Sequence, residues 1–264
     1  MTNNRILTLL AAALLLFCRK DAPPGKELSF NMMQTTRSWR AENGIDAQLT
    51  ASFSYPHFYG NAAADSLNRF VKELIVVHTL NEPADVEIED AAQWFVDQFR
   101  EYIIKSDYSQ NWELKISIDV IYQSPKVWTL RLDTYRFTGE AHGNSYVELI
   151  VFDPRNGQRL LPEDFTDRRE ALLLQQVAES KFREQHQIPA DASLEETGFW
   201  FEEDQFYLTG NFGVTKEGFL FIYNPYEIAP YALGRTELLI TWEELRPFLK
   251  PTNPLSDTID QSTE

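Results

Sequence analysis

The chain has 264 residues and a formal net charge of −16. Its hydrophobic fraction of 43% and aromatic fraction of 13% exclude an intrinsically disordered chain and suffice for globular cores. The acid excess argues against nucleic acid and against direct docking to anionic lipid heads, which both need Lys and Arg, and leaves a basic partner or plain solubility as its use.

The chain opens with Arg5 in a short polar start, followed by an apolar run from Ile6 to Phe17 that only Thr8 interrupts. A bilayer span needs about 20 apolar residues, so this run has the length of a signal-peptide core. Charges at Arg19, Lys20 and Asp21 stop it. Residues 1–17 therefore read as a lipoprotein-type signal and Cys18 as the lipid attachment site. Leu15 fits the pattern, whereas Phe17 stands where a small residue is usual. The alternative is an uncleaved N-terminal anchor. Cys18 is the only cysteine, which excludes an intramolecular disulfide. Residues 18–36, with Ala22-Pro23-Pro24-Gly25-Lys26, read as a tether. The expected location is the cell envelope, lipid-anchored and facing the periplasm or the surface.

From Ile45 to Tyr55 apolar and polar residues alternate, which predicts a half-buried strand ended by Pro56. Leu67, Phe70, Val71, Leu74 and Val77 form a helical stripe, and Ala92, Phe95, Phe99, Tyr102 and Ile103 form another beyond the break at Pro83. Strands are expected at 112–122, 127–137 and 146–152, with a turn at 153–157. The second half predicts a long helix over 167–187 and strands at 199–201, 205–208, 219–223 and 237–240. A short helix over 242–249 follows, with Thr241 as its N-cap. Residues 251–264 read as a polar, disordered tail. Helices and hairpins segregate, so the class is α+β: a two-part body of mostly antiparallel sheets packed by helices.

Standard catalytic signatures are missing: there is no G-x-S-x-G elbow, no phosphate-binding loop, no H-E-x-x-H and no C-x-x-C. Arg155 stands where a calcium loop at Asp153 would need an oxygen ligand. No metal site and no cofactor are expected. His78 and His186 read as structural, the latter suited to a helix C-terminus; His57 has no evident partner. Glu195-Glu196 and Glu202-Glu203-Asp204 read as solvated surface. Two stretches carry the candidate ligand-binding residues. Gly139 and Gly143 flank His142 in a loop that either presents the imidazole to a ligand or is a tight connection bonded to itself. Tyr226, Glu227 and Tyr231 lie in a rigid segment from Tyr223 to Gly234, which is either a contact surface or an ordered bend packed on the sheet.

These stretches carry a resemblance. Ala141-His142-Gly143, after Tyr135-Arg136-Phe137-Thr138-Gly139, resembles the Gly-Gly-Ala-His-Gly signature of the RsiV-like proteins. The segment Tyr226 to Gly234, preceded by Asn211-Phe212-Gly213-Val214-Thr215, resembles their C-terminal signature. Ser54-Tyr55-Pro56 with Leu67-Asn68-Arg69-Phe70 is similar to the N-terminal domain shared with PdaC-type peptidoglycan deacetylases. The resemblance covers roughly residues 40–250 and implies a PdaC-type α+β domain at 37–150 and an RsiV-like α+β domain at 151–250. It implies an extracytoplasmic module; one member of the family is an anti-sigma factor whose outer domain binds lysozyme. In the deacetylases the chemistry lies in a separate domain, so no catalytic residue is expected. Glu140 departs from the loop signature. Only Met1 to Arg5 precede the apolar run, so anti-sigma signalling is not expected.

The function this points to is a non-enzymatic binding module of the envelope for a basic protein such as lysozyme or another wall hydrolase, or for peptidoglycan. The alternatives are an envelope enzyme acting on glycan, with His142 and Glu227 as acid/base groups, and a structural or assembly lipoprotein.

Overall fold

The computed structural model describes residues 27–42, 47–106 and 110–256. The signal, Cys18, the first part of the tether and residues 257–264 lie outside them. No helix among the described residues is long and apolar enough to cross a membrane.

The first half builds a five-stranded sheet in the order β1-β2-β3-β4-β5, from β1 (Ser29–Arg40), β2 (Gln48–Tyr59), β3 (Trp112–Gln123), β4 (Trp128–Phe137) and β5 (Asn144–Phe152). Only β2 and β3 pair in parallel. Their crossover holds α1 (Ala64–Leu80) and α2 (Ile88–Ser106), which cover one face of the sheet. Buried Leu67, Val71 and Ile75 follow each other at four-residue spacing on α1, the stripe that a helix on a sheet requires. The helix stops at Asn81, whose left-handed φ of 62° lets its N–H bond the Val77 carbonyl. Alternate side chains of the strands, among them Phe53, Ile116, Leu130 and Ile150, complete this core.

The second half adds α3 (Pro162–Phe165), α4 (Arg168–Gln185) and a small antiparallel sheet of β6 (Phe212–Val214), β7 (Gly218–Tyr223) and β8 (Thr236–Thr241). α5 (Trp242–Leu245) follows, capped by Thr241, whose hydroxyl accepts from the Glu244 N–H while the Glu244 carboxylate accepts from Thr241. The core here is aromatic. Phe199, Phe201 and Phe206 pack around Phe182 of α4 at centroid distances of 4.9 to 5.4 Å.

The two halves meet along β5. Val147 and Leu149 face Ile222 across the join. Gly213 packs closely there: a Cβ would come to 3.0 Å from Leu149 and Thr129 side-chain atoms, which would have to shift. The outer edge of β5 is closed by side chains as well as by backbone. The Asn224 carboxamide accepts from the Val147 N–H at 2.7 Å and donates to the Val147 carbonyl at 2.9 Å. Asn211 donates to the same carbonyl at 2.7 Å and accepts from the Leu149 N–H at 2.8 Å. Further along, the Leu160 N–H bonds the Val151 carbonyl and the Asp153 N–H bonds the Gln158 carbonyl.

The α+β class with mostly antiparallel sheets is observed, and several boundaries differ from expectation. Residues 29–36, expected in the tether, are strand. Only Thr35 is buried in β1, so this edge strand has no alternation to betray it. Pro56 does not end β2. It lies beyond the parallel pairing with β3, which stops at Ser54, so a missing N–H costs little on that side. The strands expected at 199–201 and 205–208 are absent. Alternate burial of phenylalanines imitates a strand there, but neither stretch pairs with a neighbouring strand, and the chain turns between them at Glu203 and Asp204, with φ of 54° and 56°. The tail expected to be disordered from Pro251 is ordered to Ser256, because Asn253 and Leu255 are buried.

His78 sits at the end of α1, packed on Tyr146 with centroids 5.5 Å apart. Burial, and then the Arg136 guanidinium, push its pKa down to about 4. Arg136 is held there by donating to the carbonyls of His78 and Thr79 at 2.7 and 2.8 Å. His186, at the C-terminal end of α4, is likewise pushed down by burial and packs half-buried against Phe182 and Phe199.

Two measurements test this account. Replacing Asn224 with Ala leaves the buried Val147 N–H without its acceptor and should cost roughly 2–3 kcal/mol in urea unfolding at neutral pH. The unfolded chain takes a proton on His78 below about pH 6.5, and the folded chain only near pH 4, so stability is lost as pH falls through that window. A His78→Phe variant should therefore lose roughly 2–3 kcal/mol less than the parent between pH 7 and pH 4 in paired unfolding curves.

Candidate functional site

The loop from Thr138 to Gly143 is fixed from within. The Glu140 carboxylate accepts from the Thr138 N–H at 2.8 Å and from its hydroxyl at 2.5 Å. Partial burial works against its charge, but these bonds outweigh it and hold the carboxyl below the usual range. Gly139 takes a φ of 97°, and Gly143 lies so close to Tyr135 that a Cβ would meet its ring at 2.3 Å. His142 Nδ1 lies 3.1 Å from the Gly143 carbonyl, so the ring does bond its own loop.

The segment after β7 is fixed by Asn224. The Asn224 N–H donates to Glu227 Oε2 at 2.9 Å and its carboxamide donates to Oε1 at 3.3 Å. The Tyr226 N–H closes the turn on the Ala229 carbonyl, and Tyr226 itself takes a left-handed φ of 69°. That conformation, uncommon for a bulky residue, turns its ring outward, where it is 55% exposed.

The two stretches meet. The His142 ring stacks on Tyr231 with centroids 3.7 Å apart and planes 12° apart. The Tyr231 hydroxyl donates to the Gly143 carbonyl at 3.0 Å, and the Tyr226 ring follows at 5.7 Å. Three of the four candidate residues thus form one ledge of His142, Tyr231 and Tyr226, built from both halves of the chain. Glu227 joins the ledge by its backbone, and both of its carboxylate oxygens turn to Asn224.

Trp200 was not singled out by the sequence and belongs to the ledge. Its indole N–H donates to the Glu227 carbonyl at 3.2 Å, its backbone N–H bonds the Ile228 carbonyl, and its side chain is exposed. Its two flanking 3-10 turns, Glu195–Thr197 and Glu202–Asp204, are tied by the Glu195 N–H donating to Asp204 Oδ1 at 2.8 Å. The acidic runs read as plain surface therefore form a fixed acidic border beside an exposed tryptophan. No sequence signal distinguishes them from solvated charge. On the other side an open depression is lined by Ser145, Pro225, Tyr231, Arg235 and Glu237. Arg131 links its floor to the first sheet, 2.7 Å from Asp133 and 3.5 Å from Glu237. No group of three or more metal-ligating side chains occurs among the described residues.

Residues 45–145 match the family model described as Deacetylase PdaC, and residues 160–243 match the one described as Protein of unknown function (DUF3298). Among solved structures, a DUF3298-family member from Bacteroides fragilis is similar at 21% identity and a TM-score of 0.71, over 89% of this chain and 98% of its own. A DUF3298-family protein from Pseudomonas aeruginosa is similar at 21% identity and a TM-score of 0.61, over 85% of this chain and 95% of its own. These likenesses show the fold. No curated protein matches the chain. The ledge thus lies where two matched segments meet: His142 belongs to the stretch similar to the PdaC model, and Tyr226 and Tyr231 to the stretch similar to the DUF3298 model.

Proposed function

We propose that the chain is a non-enzymatic binding module of the cell envelope, anchored by a lipid on Cys18, whose ledge of His142, Tyr231 and Tyr226 contacts a basic wall-acting protein such as a lysozyme. The observation that carries this reading is the His142–Tyr231 stack, which locks the signature loops of both domains into one exposed aromatic surface. Aromatic side chains that are held rigid and exposed supply contact area at low entropic cost and dominate many interfaces. The border of Glu195, Glu196, Glu202 and Glu203 complements a basic partner, as does the net charge of −16. The bonds from Asn224 to both oxygens of Glu227 favour a positioning role for that carboxylate over acid/base work.

Titration of the chain against lysozyme, followed by calorimetry at low and moderate salt, tests the reading. Association should weaken as salt rises, since exposed charges are screened beyond about 8 Å at physiological ionic strength. Tyr231→Ala should weaken it by about 2 kcal/mol, near thirtyfold, with unfolding curves as the control for the fold. Gly143→Ala should weaken it as well, by displacing Tyr135 and the carbonyl that holds Tyr231. An absence of binding in both buffers would remove lysozyme as the partner, and retention of a pelleted sacculus would point to peptidoglycan instead.

A further inference from the structure

The two edges of the five-stranded sheet differ sharply. The outer edge of β5 is closed by Asn224, Asn211, Leu160 and Gln158. At the other edge β1 pairs only with β2, in an unbroken register from Ser29↔Tyr59 to Arg40↔Gln48. Among the described residues no strand pairs with its outer side. β1 has 12 residues, no proline and no bulge, and it leaves Met32 and Met33 exposed at 43% and 45%. Proteins usually block such an edge with a bulge, a proline, an inward charge or a cover, because its free N–H and C=O groups template further pairing. Among the described residues this strand has none of those, the Arg37 guanidinium donating only to the Thr36 carbonyl at 3.1 Å, and in a strongly acidic chain it carries two arginines and no acidic residue.

We propose that β1 pairs antiparallel with β1 of a second copy, about a two-fold axis through Met32, so that two five-stranded sheets become one. The sequence around that axis is self-complementary, which is what a two-fold contact demands. Met32 faces its own mate, Met33 faces Asn31, Ser29 faces Thr35, and Glu27 faces Arg37. Each pair recurs on the other side of the axis. A slip that centred the pair on Met33 would set Arg37 against Ser29 and Glu27 against Trp39, which abandons both charge matches. The preferred register covers the exposed methionines and pairs every charge from Glu27 to Arg37.

Sedimentation velocity of the full chain in a mild detergent, over a range of concentrations, should show a monomer–dimer equilibrium. Met32→Lys sets two like charges face to face on the axis and should weaken the dimer about tenfold without altering the circular dichroism of the exposed site. Glu27→Arg should weaken it too, and the double variant Glu27→Arg/Arg37→Glu should restore it. In a Cys18→Ser chain, Met32→Cys should give a disulfide-linked dimer on mild oxidation, whereas Leu172→Cys, exposed on α4, should not. A monomer at every concentration, a dimer indifferent to Met32→Lys, or a charge swap that fails to restore pairing would each overturn the proposal.

Discussion

The pairing of Asn224 with Val147 is the constraint on which the rest depends. A strand at the edge of a sheet carries N–H and C=O groups that must find partners once another layer buries them. Here the layer that buries β5 brings the partners with it. Asn224 and Asn211 present amide groups that stand in for a neighbouring strand, at 2.7 to 2.9 Å. A carboxamide has the donor and acceptor of a peptide group, so it can continue the ladder without a sixth strand. Aliphatic side chains in their place would bury the same join and leave Val147 and Leu149 unsatisfied.

The same residue organises the ledge. Asn224 bonds β5 with its side chain and holds Glu227 with its N–H and carboxamide. The turn that follows places Tyr226 outside and Tyr231 half-buried beneath His142, and Trp200 is fastened to the carbonyl of Glu227. The route runs from sheet edge to asparagine, to turn, to exposed ring, with each step a hydrogen bond shorter than 3.5 Å. The loop of His142 approaches from the other side and is fixed by its own Glu140. Neither half alone completes the surface, because the stack is made of one ring from each.

How much of this was legible in the sequence follows from what each element buries. The strands at Leu49 to Tyr55 and Trp112 to Tyr122 alternate because one face meets helices, and the periodicity exposes them. The stripe of α1 at Leu67, Val71 and Ile75 is visible for the same reason. β1 hides because it is an edge with almost nothing buried, and β6 hides because three residues are too few for a period. Phe199, Phe201 and Phe206 mislead, since a ring core around Phe182 produces strand-like spacing without strand backbone. Among the site residues, His142, Tyr226 and Tyr231 were marked by glycine and proline around them. Asn211, Asn224 and Trp200 carry no local signal, because their roles arise only when distant segments meet.

The rigidity of the ledge has a cause that bears on what it can do. Tyr231 is fixed at its hydroxyl by Gly143 and on one face by His142, and Tyr226 is held by a closed turn between Pro225 and Pro230. Tyrosine has only two side-chain torsions to lose on binding, and here the fold has already restricted them. Acid/base chemistry asks for a different arrangement, in which a carboxylate or imidazole keeps an open lone pair aimed at a substrate. Glu227 spends its oxygens on Asn224, and His142 rests its ring on Tyr231 and its Nδ1 on Gly143. The polar groups hold the aromatic ones in place, and the aromatic ones face outward. That division of labour is what the proposed contact with a partner surface asks for.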